Sequence, residues 1–155
     1  MNISIYMTVK NGGELLIRTI DSILNQTYKK WELIIVDDGS TDKTIDNLNS
    51  FSSENSNIKV IKTGGIGRAK SLNKAIDNCQ YDILCNVDAD DIFHPEKLEL
   101  QIAFFTDSNL DLLSTDSTTF TLDCELSSWM NSDFKLQCSE KLSNITQLFI
   151  SNKIN

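Results

Sequence analysis

Four apolar runs of strand length, each followed by a pattern with helical period, constrain this chain more than any other feature. The runs are residues 3–9, 31–36, 58–61 and 81–87. After the first comes a predicted helix over residues 14–26, where Leu16, Ile20, Ile23 and Leu24 form one stripe and Arg18, Asp21 and Asn25 fall outside it. After the second comes a helix carrying Ile45 and Leu48, then a polar loop over residues 50–57. The third is followed by Gly64-Gly65-Ile66-Gly67 and a helix with Ala69, Leu72, Ala75 and Ile76 on one side. The fourth leads to a helix that opens at Pro95, a residue suited to the first helical position, and buries Leu98, Ile102 and Phe105. Strand and helix alternating four times predict an α/β fold with a largely parallel central sheet. The continuous apolar end of the second run suits burial on both faces.

Beyond Thr106 the pattern weakens. Residues 110–115 are a candidate fifth strand, 118–122 an extended or hairpin segment, and 140–150 a helix through Leu142, Ile145, Leu148 and Phe149. At 155 residues the whole is expected to form a single domain. Its net charge of −8 comes without any basic run, which disfavours a duplex nucleic-acid binder. Cys79, Cys85, Cys124 and Cys138 form no CxxC pair, and with His94 as the lone histidine there is little material for a Cys/His zinc site. Cys85, in a strand expected to be buried, is read as a small core residue. The N-terminus enters a strand pattern without a basic, leader-like segment, and no run of about 18 apolar residues occurs. The expectation is a soluble, cytoplasmic protein, with the inner face of a membrane as the alternative station.

In open α/β sheets, ligands bind outside the carboxyl ends of the strands. Three clusters sit at such ends: Thr8 to Asn11, Asp37-Asp38, and Asp88-Ala89-Asp90-Asp91. Side chains two apart in extended backbone share a side, so Asp88 and Asp90 are expected to face one ligand together. Their mutual repulsion is relieved by a cation or a donor-rich partner, and a hard divalent ion shared with substrate phosphates would serve. Local turn preference explains an Asp-rich loop, but not Asp clusters at two carboxyl ends of one sheet. Asp38 is a candidate acceptor for a ribose or base edge, and Arg68 and Lys70 at a helix start are candidate phosphate contacts. Ser40, Thr41 or Asp42 would cap the second helix. Gly65-Ile66-Gly67 is no dinucleotide fingerprint, because Lys70 stands where a third glycine is needed, and no GxxxxGK[ST] run is present. His94, before Pro95, is read as a helix-entry residue.

Val36-Asp37-Asp38-Gly39-Ser40-Thr41-Asp42 followed by Val87-Asp88-Ala89-Asp90-Asp91 resembles the family 2 glycosyltransferases, inverting nucleotide-sugar enzymes of the GT-A fold. Met7-Thr8-Val9-Lys10-Asn11, Ser22-Ile23-Leu24-Asn25-Gln26-Thr27-Tyr28, Gly67-Arg68-Ala69-Lys70-Ser71-Leu72-Asn73 and His94-Pro95-Glu96-Lys97-Leu98-Glu99-Leu100-Gln101 extend the resemblance in the same order and spacing, over about residues 3–105. The resemblance implies that Asp38 binds the uracil or ribose of a nucleoside-diphosphate sugar, with Thr8, Lys10 and Asn11 in the same pocket. It also implies that Arg68, Lys70 and Ala89 border the donor, that Asp88 contacts ribose or shares a metal, and that Asp90 ligates Mn2+ or Mg2+. The implied reaction transfers a sugar, from a UDP-linked donor first of all, to a glycan or lipid-linked hydroxyl.

Two features depart from the family. It usually has an aromatic or other apolar residue where Lys10 stands, which bears on base specificity, and an asparagine where Gly65 stands. Its members also carry an acceptor-binding half with a general base. The expectation is that residues 1–105 correspond to the nucleotide-sugar half and residues 106–155 to the start of an acceptor half that is truncated or naturally shortened. Asp116, Asp123, Glu125 and Glu140 match no base motif, so no catalytic base is assigned. Self-association through the missing half is an accompanying expectation. The alternatives are a non-catalytic nucleotide-sugar binding module and a nucleotidyltransferase, for which the loop Lys10-Asn11-Gly12-Gly13 is short and weakly basic.

Overall fold

The computed structural model describes residues 1–108, 111–115, 117 and 123–131. It divides into two compact units, Met1–Glu99 and Leu100–Asn155. The first unit alternates strand and helix as expected. Its elements are β1 (Ile3–Val9), α1 (Gly13–Leu24), β2 (Trp31–Asp37), α2 (Thr44–Glu54), β3 (Ile58–Lys62), α3 (Arg68–Ile76) and β4 (Ile83–Asn86). Helix α4 (Lys97–Ser108) begins in the first unit and runs into the second, where α5 (Asp123–Met130) follows.

Among the described residues all strand pairings are parallel, in the order β3-β2-β1-β4. The chain moves outward from β1 to β3 and then returns to the far side of β1 for β4. That reversal creates a switch point outside the carboxyl ends of β1 and β4. Strand β2, flanked on both sides, is buried along its whole length. Ile5, Met7, Leu33, Ile34, Ile35 and Val36 from the sheet are shielded from solvent, as are Leu16, Ile20 and Ile23 of α1. At about 25 cal/mol per Å2 of apolar surface, each such side chain contributes roughly 1.5–3 kcal/mol. The α1 stripe faces this core, while Arg18, Asp21 and Asn25 are exposed, as its periodicity predicts.

Several expectations are revised. Residues 50–54 continue α2 instead of forming a loop. Phe51, three residues after buried Leu48, extends the inward face, and the hydroxyls of Ser52 and Ser53 donate to the carbonyls of Asn49 and Ser50 within the helix. Helix α3 buries Ser71 and Ala75, leaving Ala69 exposed and Leu72 and Ile76 half-buried. Strand β4 is not the buried strand its sequence suggests: Leu84 is 44% exposed and Cys85 is half-buried. It stands at the end of the described sheet, with β1 as its neighbour.

Helix α4 starts at Lys97, two residues later than expected, because the Pro95 carbonyl is taken by the amide and hydroxyl of Thr27. Leu98 is buried, whereas Ile102 and Phe105 are only half-buried. Residues 111–115 form no strand, and α5 was not anticipated. The segments 118–122 and 140–150 lie outside the described residues, as do Asp116 and Glu140. Among the described residues, no helix is long and apolar enough to cross a membrane.

Candidate functional site

An open cleft of about 540 Å3 lies at the switch point. Thr8, Val9, Lys10, Asn11 and Gly12 from the end of β1 and its loop form one wall, with Leu15 of α1 beside them. Asp38 follows β2, Arg68 opens α3, and Asp88, Ala89 and Asp90 follow β4. Eight of the nine positions singled out in the sequence therefore border one cavity: Thr8, Lys10, Asn11, Asp38, Arg68, Asp88, Ala89 and Asp90. Lys70 does not. Two residues along a helix rotate the side chain by about 200°, so Lys70 leaves the cleft side that Arg68 occupies and is exposed elsewhere on α3.

The first loop is tied to the second. Asn11 adopts φ 55°, a left-handed conformation that asparagine tolerates better than most residues. Its amide donates to the Ser40 hydroxyl at 2.8 Å, and its side-chain oxygen accepts the Thr41 amide at 2.8 Å. The Gly12 amide donates to the Thr44 hydroxyl at 2.9 Å. Ser40 itself donates to Asp37, and neither Ser40 nor Thr41 caps α2, whose N-cap position is Lys43. Asp42 accepts the Thr44 amide at 3.0 Å instead.

Asp38 is buried and satisfied by the third loop. Its Oδ1 accepts the Thr63 hydroxyl at 2.8 Å, the Ile66 amide at 2.7 Å and the Ser71 hydroxyl at 2.9 Å, while Oδ2 accepts the Gly67 amide at 3.0 Å. These donors, the Thr63 hydroxyl foremost, hold its carboxyl below the ordinary aspartate range against the opposing effect of desolvation. Asp38 thus organises the β3–α3 loop, a role that its sequence context does not reveal. One lone pair of Oδ2 is left over for a ligand donor.

The acidic stretch is a turn and not an extension of β4. The Asp91 amide donates to the Asp88 carbonyl at 3.1 Å, so the strand-alternation argument for Asp88 and Asp90 does not apply, although both border the cleft. Arg68 Nη2 lies 2.7 Å from Asp88 Oδ1. The carboxyl of Asp91 is pushed up, chiefly by desolvation and then by the charges of Asp88 and Asp90. Negative potential concentrated in one turn is what a divalent cation would relieve. Among the described residues, no group of three His, Cys, Asp or Glu side chains gathers around one point. One or two carboxylates completed by substrate oxygens is a mode that Mg2+ commonly uses, and the turn fits that mode.

Sequence reasoning missed one support of this turn. Thr19, fully buried on α1, donates from its hydroxyl to the Ala89 carbonyl at 3.0 Å. The available signal was a polar residue beside the apolar stripe, at Thr19, Ser22 and Gln26.

The sequence profile of Glycosyl transferase family 2 matches residues 4–147. EpsE of Bacillus subtilis (strain 168), named as a glycosyltransferase, is 38% identical over 104 residues, covering 66% of this chain and 37% of that protein. Residues 1–349 of TarS from S. aureus superpose with a TM-score of 0.66 at 22% identity, over 79% of this chain and 40% of that one. The mannosyltransferase PcManGT from Pyrobaculum calidifontis, in complex with GDP-Man and Mn2+, gives a TM-score of 0.64 at 23% identity, over 70% and 33% of the two chains. The parallel sheet and its flanking helices are those of the GT-A fold. The chain spans under half the length of EpsE, and the same holds for the solved structures.

Proposed function

This chain belongs to glycosyl transferase family 2, and from that premise we propose that its cleft is the donor site of an inverting, metal-assisted sugar transfer. The observation that carries the reading is convergence: Asp38 after β2, Arg68 at the start of α3, and Asp88 and Asp90 after β4 come to one cavity at the switch point. A nucleoside diphosphate sugar, UDP-linked in the first instance, would place its nucleoside toward Thr8, Lys10, Asn11 and Asp38 and its diphosphate toward Arg68 and the acidic turn. S. aureus TarS has a structure in complex with UDP-GlcNAc, and PcManGT one with GDP-Man and Mn2+, which supports the donor class.

Asp90, with Asp88, would hold Mn2+ or Mg2+, which stabilises the charge that develops on a departing diphosphate. Asp38 donates nothing at neutral pH. It accepts, so it would recognise an N–H or O–H of the nucleoside while keeping the β3–α3 loop closed around it. Arg68 would exchange its partner Asp88 for a phosphate oxygen, and Leu15 gives the cleft an apolar wall. The acceptor hydroxyl, of a glycan or lipid-linked molecule, and its general base belong to the part of the reaction for which we assign no residue.

Calorimetry with UDP, with and without Mn2+, tests the reading. UDP is expected to bind far more tightly with the metal, and Asp90→Ala is expected to abolish that gain. Metal-independent binding, or an Asp90→Ala variant that retains the gain, overturns the site.

A further inference from the structure

Three buried polar side chains, Thr19 and Ser22 on α1 and Gln26 just beyond its end, reach the backbone that follows β4. Thr19 and Ser22 are three residues apart on one face of α1, and Gln26 follows two residues after the helix ends at Leu24. Their relative exposures are 0%, 5% and 0%. The Ser22 hydroxyl accepts the Phe93 amide at 3.0 Å. Gln26 donates to the His94 carbonyl at 2.7 Å and accepts the Leu98 amide at 3.0 Å. Ser22 and Gln26 therefore fasten residues 93–98, the approach to α4, and neither touches the acidic turn.

Thr19 does. Its hydroxyl lies within donating distance of the Ala89 carbonyl, at 3.0 Å, and of the Leu15 carbonyl of its own helix, at 3.2 Å. A hydroxyl has one hydrogen, so the bond to Ala89 competes with one inside the helix. Ala89 is the residue between Asp88 and Asp90. Its carbonyl fixes the peptide plane shared with Asp90, and so the direction in which the next side chain leaves. Upstream, the Val87 amide is held by the Tyr6 carbonyl at 3.2 Å, and downstream the Phe93 amide is held by Ser22. The Thr19 bond stands between these two anchors, in the middle of the turn.

We propose that Thr19 is a positioning residue for the donor site: by holding the Ala89 carbonyl, it fixes the relative placement of the Asp88 and Asp90 carboxylates between which a divalent cation and a diphosphate would be shared. The inference deepens the donor-site reading and rests on it for the ligand, but not for the geometry.

Two variants of the full chain separate this role from simple packing. Thr19→Ser keeps the donor and loses a methyl, whereas Thr19→Val keeps the bulk and loses the donor. Amide hydrogen exchange without any ligand reads the turn directly. In Thr19→Val the Asp91 amide is expected to exchange about three- to ten-fold faster, the worth of one neutral hydrogen bond, while the Phe93 and Leu98 amides keep their protection. In Thr19→Ser the Asp91 rate stays close to that of the unmodified chain. Titration with UDP and Mn2+ then reads function: Thr19→Val is expected to lose affinity by a similar factor with the metal and none without it, and Thr19→Ser to restore it. Unchanged Asp91 exchange in Thr19→Val overturns the proposal, as does an equal loss of metal-linked affinity in both variants. Faster Asp91 exchange in Thr19→Val, where the unmodified chain itself binds no UDP at any Mn2+ concentration, upholds the positioning role and overturns the donor-site reading instead.

Discussion

Arg68 Nη2 lies 2.7 Å from Asp88 Oδ1 at the border of the cleft, joining the first residue of α3 to the residue that opens the acidic turn. The two side chains are 74% and 49% exposed, so the pair is screened and contributes no more than about 1 kcal/mol to stability. Its consequence is electrostatic: a guanidinium stands on a carboxylate that the proposed cation would share. Arg68→Ala is expected to move the urea midpoint little, to raise the affinity for Mn2+ alone, and to weaken UDP binding in its presence. Spin-resonance titration of free Mn2+ checks the second point. An unaltered Mn2+ affinity would show that arginine and metal do not compete for Asp88.

Gly12 is where the first loop touches the core. A Cβ added there would stand 2.7 Å from Val9 Cγ2 and 2.9 Å from Leu16 Cβ, with Leu16 itself fully buried. Neither neighbour is the free end of a flexible chain, so Gly12→Ala is expected to destabilise by roughly 1–3 kcal/mol, as overpacking does. Gly64→Ala is the control, since nothing lies within 4 Å of its added Cβ, and it should stay within about 0.5 kcal/mol. Urea denaturation of the two variants measures the contrast, and equal losses would refute the packing account.

The sheet was legible because its information is local. Each strand is an apolar run and each helix shows a stripe, and alternation of the two dictates parallel pairing. The cleft was legible for a related reason: the carboxyl ends of β1, β2 and β4 can be marked on the sequence before their neighbours are known. What stayed hidden depends on neighbours. Ile83-Leu84-Cys85 is as apolar as Ile34-Ile35-Val36, yet Leu84 is 44% exposed and Ile35 is fully buried. The difference is strand order, which no local pattern carries. The donors to Asp38 are spread over residues 63–71 and become a set only when β3 lies beside β2. Thr19 stays hidden in the sequence because a threonine beside an apolar stripe looks like a tolerated core residue.

Gly65 shows how a departure from the family becomes intelligible in three dimensions. Its φ is 81°, in the left-handed region where glycine is at ease and asparagine is the best tolerated alternative. The asparagine usual at this position and the glycine found here therefore meet the same backbone requirement. Space is not limiting, because the nearest atom to an added Cβ is the Asp38 carbonyl at 3.8 Å. Gly65→Asn is expected to fold with a loss of a few tenths of a kcal/mol, and Gly65→Val to lose about 1–2 kcal/mol from conformation alone. Thermal unfolding of both variants checks the ranking. A valine as well tolerated as asparagine would mean that the loop readily takes another path.

Asp38 gives the chain a pH dependence whose sign can be worked out. Its carboxyl is held below the ordinary range, first by the Thr63 hydroxyl and further by Ser71, Ile66 and Gly67. In the unfolded chain an aspartate titrates near pH 3.9, at about the value for a free side chain. Between that value and the lower folded one, the unfolded state binds more protons, so stability rises with pH across this window. The contribution is complete above about pH 5, where the unfolded group is also ionised, and is lost as the pH falls through the folded value. Asp38→Asn removes it differently. An amide nitrogen at the Oδ2 position would face the Gly67 N–H, donor against donor, so the β3–α3 loop loses that bond at every pH. The variant is therefore expected to be less stable than the unmodified chain at pH 7, with the gap closing as both are taken below pH 4. Urea unfolding at a series of pH values measures it, and two curves that stay parallel into acid would show that Asp38 is not the group responsible.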